Sequence, residues 1–246
     1  MIVLSAGMQK AGTGWFFNMT NDLVAACGGQ DVRHVRSVFG LDDILKYHNC
    51  NLEKPDPDNL DKLELTHAAG YTFVVKSHGG PEPYLSLISK RILRATYIYR
   101  DPRDAVLSAF DHGEKIRGLG QQHTFGGLTT MMKSVDFVGS LLSVWESWYN
   151  LKCAFMVRYE DLISKPAETM MQLAAYLDLN PSKEIIEQAV SAYRPSVVIS
   201  DEHKTDYLHF NLGQVGRWKT LMGKQEIDHC KDVFGDRLLR MGYSWE

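Results

Sequence analysis

Apolar positions along the chain follow two alternating rhythms. Short runs rich in β-branched and aromatic residues recur as IVL (2–4), YTFVVK (71–76), ATYIYR (95–100) and CAFMVRY (153–159). They lack a polar alternate face, so each reads as a strand buried on both sides, as in a parallel sheet. Between and after them the period lengthens to that of helices, at about 13–26, 58–69, 83–89, 102–110, 130–151, 167–177, 182–193 and 224–241. Strands alternating with helices predict βαβ units: an α/β, three-layer sandwich around a central parallel sheet. Two stretches, 113–127 and 194–216, carry neither rhythm; long irregular segments of this kind serve as lids or substrate walls or as surface connections.

Composition narrows the picture. With 246 residues, 44% of them hydrophobic, the chain is expected to bury one core and form a single domain over 1–246. A net charge of -3 argues against a general nucleic-acid binder while leaving room for a local basic pocket. Cys27, Cys50, Cys153 and Cys230 are widely separated and show no metal-ligand spacing, which fits reduced thiols and no metal site. No apolar run approaches the roughly 18 residues of a membrane span, and the N-terminus lacks the pattern of a signal peptide. The expectation is a cytoplasmic protein.

The first strand leads directly into GMQKAGTGW, Gly7 to Trp15. The frame Gly7-x4-Gly12 is that of a phosphate-binding loop, but Thr13 follows the second glycine and the lysine lies earlier, at Lys10. A lysine after that glycine, followed by Ser or Thr, serves a magnesium-bound triphosphate. Lys10 instead projects from within the loop toward an anion held by the amides of Gly12, Thr13 and Gly14 at a helix N-terminus. In open α/β sheets ligands bind beyond the carboxyl ends of the strands. The second strand ends in KSHGGP (76–81) and the third at Arg100, followed by DPRDAVLSAF, so three strand ends each bring a cation or titratable group to one crevice. Asp101 is placed to N-cap the next helix with Pro102 at its first position, and Ser108 lies about two turns in.

These segments resemble the PAPS-dependent sulfotransferases over nearly the whole chain. GMQKAGTGW is similar to their 5′-phosphosulfate loop, usually PKSGTTW, and YRDPRDAVLSAF to their 3′-phosphate segment, with the same eight-residue step from Arg100 to Ser108. KSHGGP resembles the segment carrying the catalytic histidine, VRYEDLISKP the later strand and turn, and GQVGRWK the closing GxxGxWK. The resemblance implies 3′-phosphoadenosine 5′-phosphosulfate (PAPS) as donor, no metal requirement, and a hydroxyl or amine acceptor on a small molecule or a carrier.

Roles follow from chemistry. Sulfuryl transfer develops charge on the leaving oxygen and needs in-line geometry, so positioning and electrostatics dominate. Lys10 is expected to neutralise the departing phosphate, and His78 to take the acceptor's proton. Arg100 offers a planar fork to the 3′-phosphate, with Ser108 as second donor. Ala11 belongs to the same loop; Trp15 either stacks on the adenine, as the resemblance implies, or packs beneath the loop. Tyr159 matches a nucleotide-contacting position and equally suits a strand-end tyrosine capping the core. Lys76 serves either the sulfuryl group or its loop. Glu160 and Asp161 read as turn and cap residues, and Trp145 and Trp148 as core.

The closing motif departs from the family. Where cytosolic members place Arg-Lys-Gly, this chain has Asn211, Leu212 and Gly213. Two cations are missing, so either Arg217 compensates from the same loop or Arg100 and Ser108 carry the 3′-phosphate. Rival classes are a P-loop nucleotide kinase or hydrolase, which would need a magnesium-binding acid such as Asp101 or Asp104, and a noncatalytic nucleotide-binding module. Phe125, Tyr207 and Phe210 are candidate acceptor-pocket residues.

Overall fold

The computed structural model describes residues 1–194, 196–197 and 213–246. Among these, six strands form one sheet: β1 (Ile2–Gly7), β2 (Leu45–Lys46), β3 (Asn51–Leu52), β4 (Phe73–Ser77), β5 (Leu93–Tyr99) and β6 (Ala154–Arg158). Their order is β2-β3-β4-β1-β5-β6. All neighbours are parallel except β2 and β3, so the expected parallel sheet becomes mixed at one edge. Those two strands are two residues long, too short to show a period, and Tyr47 (φ 62°) and Cys50 (φ 45°) take left-handed backbone in the turn that joins them.

The four longer strands sit where the apolar runs predict. β1 is buried along its whole length because neighbours hydrogen-bond to both its edges and helices flank the sheet. From β4 the chain crosses past β1 to β5, so the flanking strands lie on opposite sides of β1. That switch opens a crevice at the carboxyl end of β1, where Gly7 pairs in register with Ile98.

Among the described residues the helices are α1 (Thr13–Ala26), α2 (Val32–Phe39), α3 (Pro57–Ala68), α4 (Leu85–Ser89), α5 (Pro102–Gly118), α6 (Met131–Leu151), α7 (Tyr159–Ser164), α8 (Pro166–Tyr176), α9 (Lys183–Ala192), α10 (Trp218–Leu221), α11 (Lys224–Phe234) and α12 (Arg237–Arg240). α2 was not expected, although Asp31 caps its start and Gly40, at φ 61°, ends it. The single helix expected over 224–241 divides into α11 and α12 at Gly235.

The largest correction concerns 113–127. α5 continues through Gly113 to Gly118, and a 3₁₀ turn over Thr124–Gly127 folds back on it. A Cβ on Gly113 would lie 2.6 Å from the Phe125 carbonyl oxygen, so this glycine permits close packing and does not break the helix. Arg117 fastens the turn through Nη1 to the carbonyls of Gly126 and Leu128, both at 3.0 Å. Most of 194–216 lies outside the described residues.

Candidate active site

The loop after β1 is built by two left-handed residues. Lys10 (φ 68°) and Gly12 (φ 76°) turn the chain from β1 into α1. Between them the Ala11 amide donates to the Met8 carbonyl at 3.1 Å. That hydrogen bond engages the Ala11 amide, its side chain is wholly buried, and Ala11 does not line the cavity. Gly12 is the N-cap of α1. Thr13 and Gly14 form its first turn, where backbone N–H groups have no intrahelical acceptor and the helix dipole favours an anion. A Cβ on Gly12 would meet the Tyr159 ring at 2.8 Å, so glycine is required here for both conformation and space.

Lys10 is half-buried, its ammonium 5.1 Å from the centre of the Phe125 ring. Burial, reinforced by the like charge of Arg100, pushes its pKa down to about 8, with Asp111 pulling the other way.

His78 stands just beyond β4. Its Nδ1 lies 2.9 Å from the Gly7 carbonyl oxygen and its Nε2 lies 2.7 Å from Lys76 Nζ. A carbonyl only accepts, so Nδ1 carries the hydrogen and Nε2 presents the lone pair of the neutral ring. Lys76 is itself buried, with a pKa pushed down to about 8 by that burial. The turn after His78 is held by Tyr84 donating to Ser77 Oγ at 2.9 Å and by Trp148 Nε1 donating to the Gly79 carbonyl at 3.0 Å. Trp145 and Trp148 are core residues, as expected.

The third strand end carries Arg100. Asp101 caps α5 through the Arg103 amide and holds the Arg103 guanidinium at 3.0 and 2.7 Å. Arg100 lies over the Tyr159 ring at 4.5 Å, and its Nη2 donates to the Gln214 carbonyl at 2.6 Å. Its Nε is buried without a hydrogen-bond partner among the described residues. Arg100 also pairs with Asp104, at 3.6 Å. Arg217 is paired with Asp111 at 2.8 Å. Trp15 donates its indole N–H to the Tyr193 carbonyl at 2.8 Å and meets the Tyr159 ring edge-on. Glu160 accepts from the Asp101 amide and the Tyr243 hydroxyl, and burial raises its pKa. Its partners are structural but distant in sequence, and no side chain caps α7, so the expected local turn and cap role gives way to a tertiary tie.

One cavity of about 730 Å³ gathers these groups. Lys10, Gly12, Thr13, Gly14 and Trp15 line it from the loop, and His78 with Lys76 from β4. Arg100, Ser108, Tyr159, Gly213 and Arg217 complete the opposite wall. Among the described residues, no three His, Cys, Asp or Glu side chains gather to hold a metal ion.

A sequence model of the Sulfotransferase domain family matches residues 2–242. The chain belongs to the sulfotransferase family. Cytosolic sulfotransferase 10 of Arabidopsis thaliana is 24% identical over 273 residues, spanning 98% of this chain and 79% of that protein. Among solved structures, mouse sulfotransferase SULT7A1 complexed with PAP aligns with a TM-score of 0.61 at 15% identity, covering 97% of this chain and 84% of the other. Retinol dehydratase in a complex with retinol and PAP aligns equally well, at 0.61 and 15% identity over 96% and 81% of the two chains. At such identities the structural likeness speaks for the fold.

Sequence reasoning missed several parts of this sulfotransferase site. The hairpin tip that brings His48 and Asn49 to the cavity gives no periodic signal; it is held from α1 and α2, where Asn18 bonds Asn49 at 2.9 Å and Arg33 donates to the His48 carbonyl at 3.2 Å. Phe125 was expected near the pocket and is there, joined by Phe137 at 5.2 Å. Tyr207, Phe210, Asn211 and Leu212 lie outside the described residues. No helix among the described residues is long and apolar enough to cross a membrane.

Proposed function

We propose that this sulfotransferase moves the sulfuryl group of PAPS to a hydroxyl or amine of a small-molecule or carrier-bound acceptor, with His78 as general base and Lys10 as the cation at the leaving phosphate. The observation that carries this reading is the convergence on one cavity of the Lys10 loop, the Arg100–Ser108 pair and a histidine whose tautomer is set by the Gly7 carbonyl.

The residues fit that donor. First-turn amides of α1 and the Lys10 ammonium suit a 5′-phosphosulfate, and the unpartnered Arg100 Nε suits a phosphate oxygen. Both arginines line the cavity and both have an acidic partner, Asp111 for Arg217 and Asp104 for Arg100, but of the two Arg100 keeps a buried Nε with no partner among the described residues, so we assign the 3′-phosphate to Arg100 and Ser108. PAPS supplies the activated sulfuryl group and a stable leaving group.

His78 takes the acceptor's proton at Nε2, while Nδ1–H on the Gly7 carbonyl holds the ring in place, as an orienting group does for any general base. Lys76, bonded to Nε2, gives way to the incoming hydroxyl and keeps its ammonium beside the base. Lys10 meets charge on the departing oxygen in a partly desolvated site, where that interaction is strong.

The kinase reading loses its metal-binding acids. Asp101 is engaged by Arg103, and Asp104 by the amides of Gly216 and Trp218. The test is His78→Ala assayed with labelled PAPS against an acceptor panel, alongside calorimetric binding of adenosine 3′,5′-bisphosphate (PAP) and of ATP with magnesium. Transfer should fall by about 10²-fold or more with PAP affinity retained. Undiminished turnover would remove the base assignment, and tighter ATP binding would favour the kinase.

A further inference from the structure

Segment 213–218 is fastened to the end of β5 and to α5 by a row of side chains. Arg100 holds the Gln214 carbonyl, Arg103 lies 3.6 Å over the Trp218 ring, and Asp111 pairs with Arg217. At the centre, Asp104 accepts the Gly216 amide on Oδ2 at 2.6 Å and the Trp218 amide on Oδ1 at 3.1 Å. Its side chain is 0% exposed and lies 3.6 Å from Arg100 Nη2. A carboxylate this deep must be satisfied by donors, and the backbone of the closing segment supplies two of them.

Arg100 thus has two duties. It faces the cavity beside Ser108, one helical turn beyond Asp104, and it clamps Gln214, two residues before the amide that Asp104 holds. Its Nε, with no partner among the described residues, marks a donor position suited to a ligand oxygen.

We propose that Asp104 is a positioning residue that seats segment 213–218 and orients Arg100 together, making closure of this segment and occupancy of the 3′-phosphate site one event. The proposal rests on the PAPS reading above. Without Asp104 the Gly216 and Trp218 amides lose their acceptor, Gln214 leaves the guanidinium, and Gly213 and Arg217 no longer complete the cavity wall.

Calorimetry with PAP and with adenosine 5′-monophosphate, which lacks the 3′-phosphate, tests this on Asp104→Ala and Asp104→Asn. For Asp104→Ala, PAP affinity should fall about tenfold or more while adenosine 5′-monophosphate affinity stays within about twofold. The KM for PAPS should rise with kcat within about threefold, since uniform binding is what is lost. Asp104→Asn, which keeps one acceptor oxygen, should fall between. Unchanged PAP affinity, or an equal loss for both nucleotides, overturns the proposal. Should the variants not fold, amide hydrogen exchange on the unaltered protein decides: PAP should slow the Gly216 and Trp218 amides and adenosine 5′-monophosphate should not, and equal exchange overturns it. Failure of the unaltered protein to prefer PAP would strike the donor reading first, before the role of Asp104.

Discussion

The Nδ1 atom of His78 lies 2.9 Å from the carbonyl oxygen of Gly7, so the candidate base hangs from the strand that carries the donor loop. Lys10, the proposed leaving-group cation, follows Gly7 by three residues on the same turn. Any shift at the end of β1 moves both.

Gly7→Ala should expose this linkage. A Cβ at Gly7 would come within 2.5 Å of Ile98 Cγ2 and 2.7 Å of Thr13 Cγ2. Overpacking of this kind costs about 1–3 kcal/mol, and kcat should fall further than the loss of folded protein explains. Thermal denaturation and kcat measured on the same preparation check it; unaltered kcat in a folded variant would show the base to be independent of the loop.

Gly12→Ala carries two separable penalties, left-handed backbone and the collision with Tyr159 at 2.8 Å. Together they should cost about 2 kcal/mol and weaken PAP binding. Adding Tyr159→Leu should restore part of the stability by removing the collision, leaving the backbone term. A double-mutant cycle by denaturant unfolding reads this out, and strict additivity would refute the steric half.

The proposed role of Lys10 makes PAP affinity pH-dependent. In the free protein Lys10 and Lys76 have pKa values pushed from 10.5 down to about 8. The cation at the leaving phosphate is Lys10, so PAP affinity should be full below about pH 8, where Lys10 is charged, and decline above it. Stability moves the opposite way. Because the folded pKa lies below the unfolded one, the penalty of burying these charges is present below about 8 and is relieved as pH rises from 8 toward 10.5. Calorimetry and thermal melts at pH 7, 8 and 9.5 should diverge in sign; flat affinity to pH 9.5 would refute a charged role for Lys10.

Phe125 sits over the Lys10 ammonium at 5.1 Å and packs on His123 and Phe137. Phe125→Ala should hydrate this part of the cavity and raise acceptor KM about tenfold, with PAP affinity within about twofold. Acceptor and donor titrations separate the two, and an equal effect on both would place Phe125 on the nucleotide side.

Local chemistry made much of this legible in the chain. The apolar runs of β1, β4 and β5 show that both faces are covered, whereas β6, at the edge of the sheet, reads the same in sequence but has only Val157 buried; Gly12, Asp101 and Pro102 state where their helices begin. The edge hairpin escaped because strands of two residues have no period. Gly113 misled because a glycine that admits a neighbouring carbonyl looks, in sequence, like one that ends a helix.

What the order of residues settled is therefore the loop, the strand ends and the family, since each depends on a contiguous motif. Folding decided which partner each charge has. Arg217 faces Asp111, Lys76 faces His78, and Asp104 binds Gly216 and Trp218, at separations of 106, 2, 112 and 114 residues. All but one of these pairings span more than a hundred residues, and the electrostatics of the site follow from distances and burial that exist only once the sheet has brought its ends together.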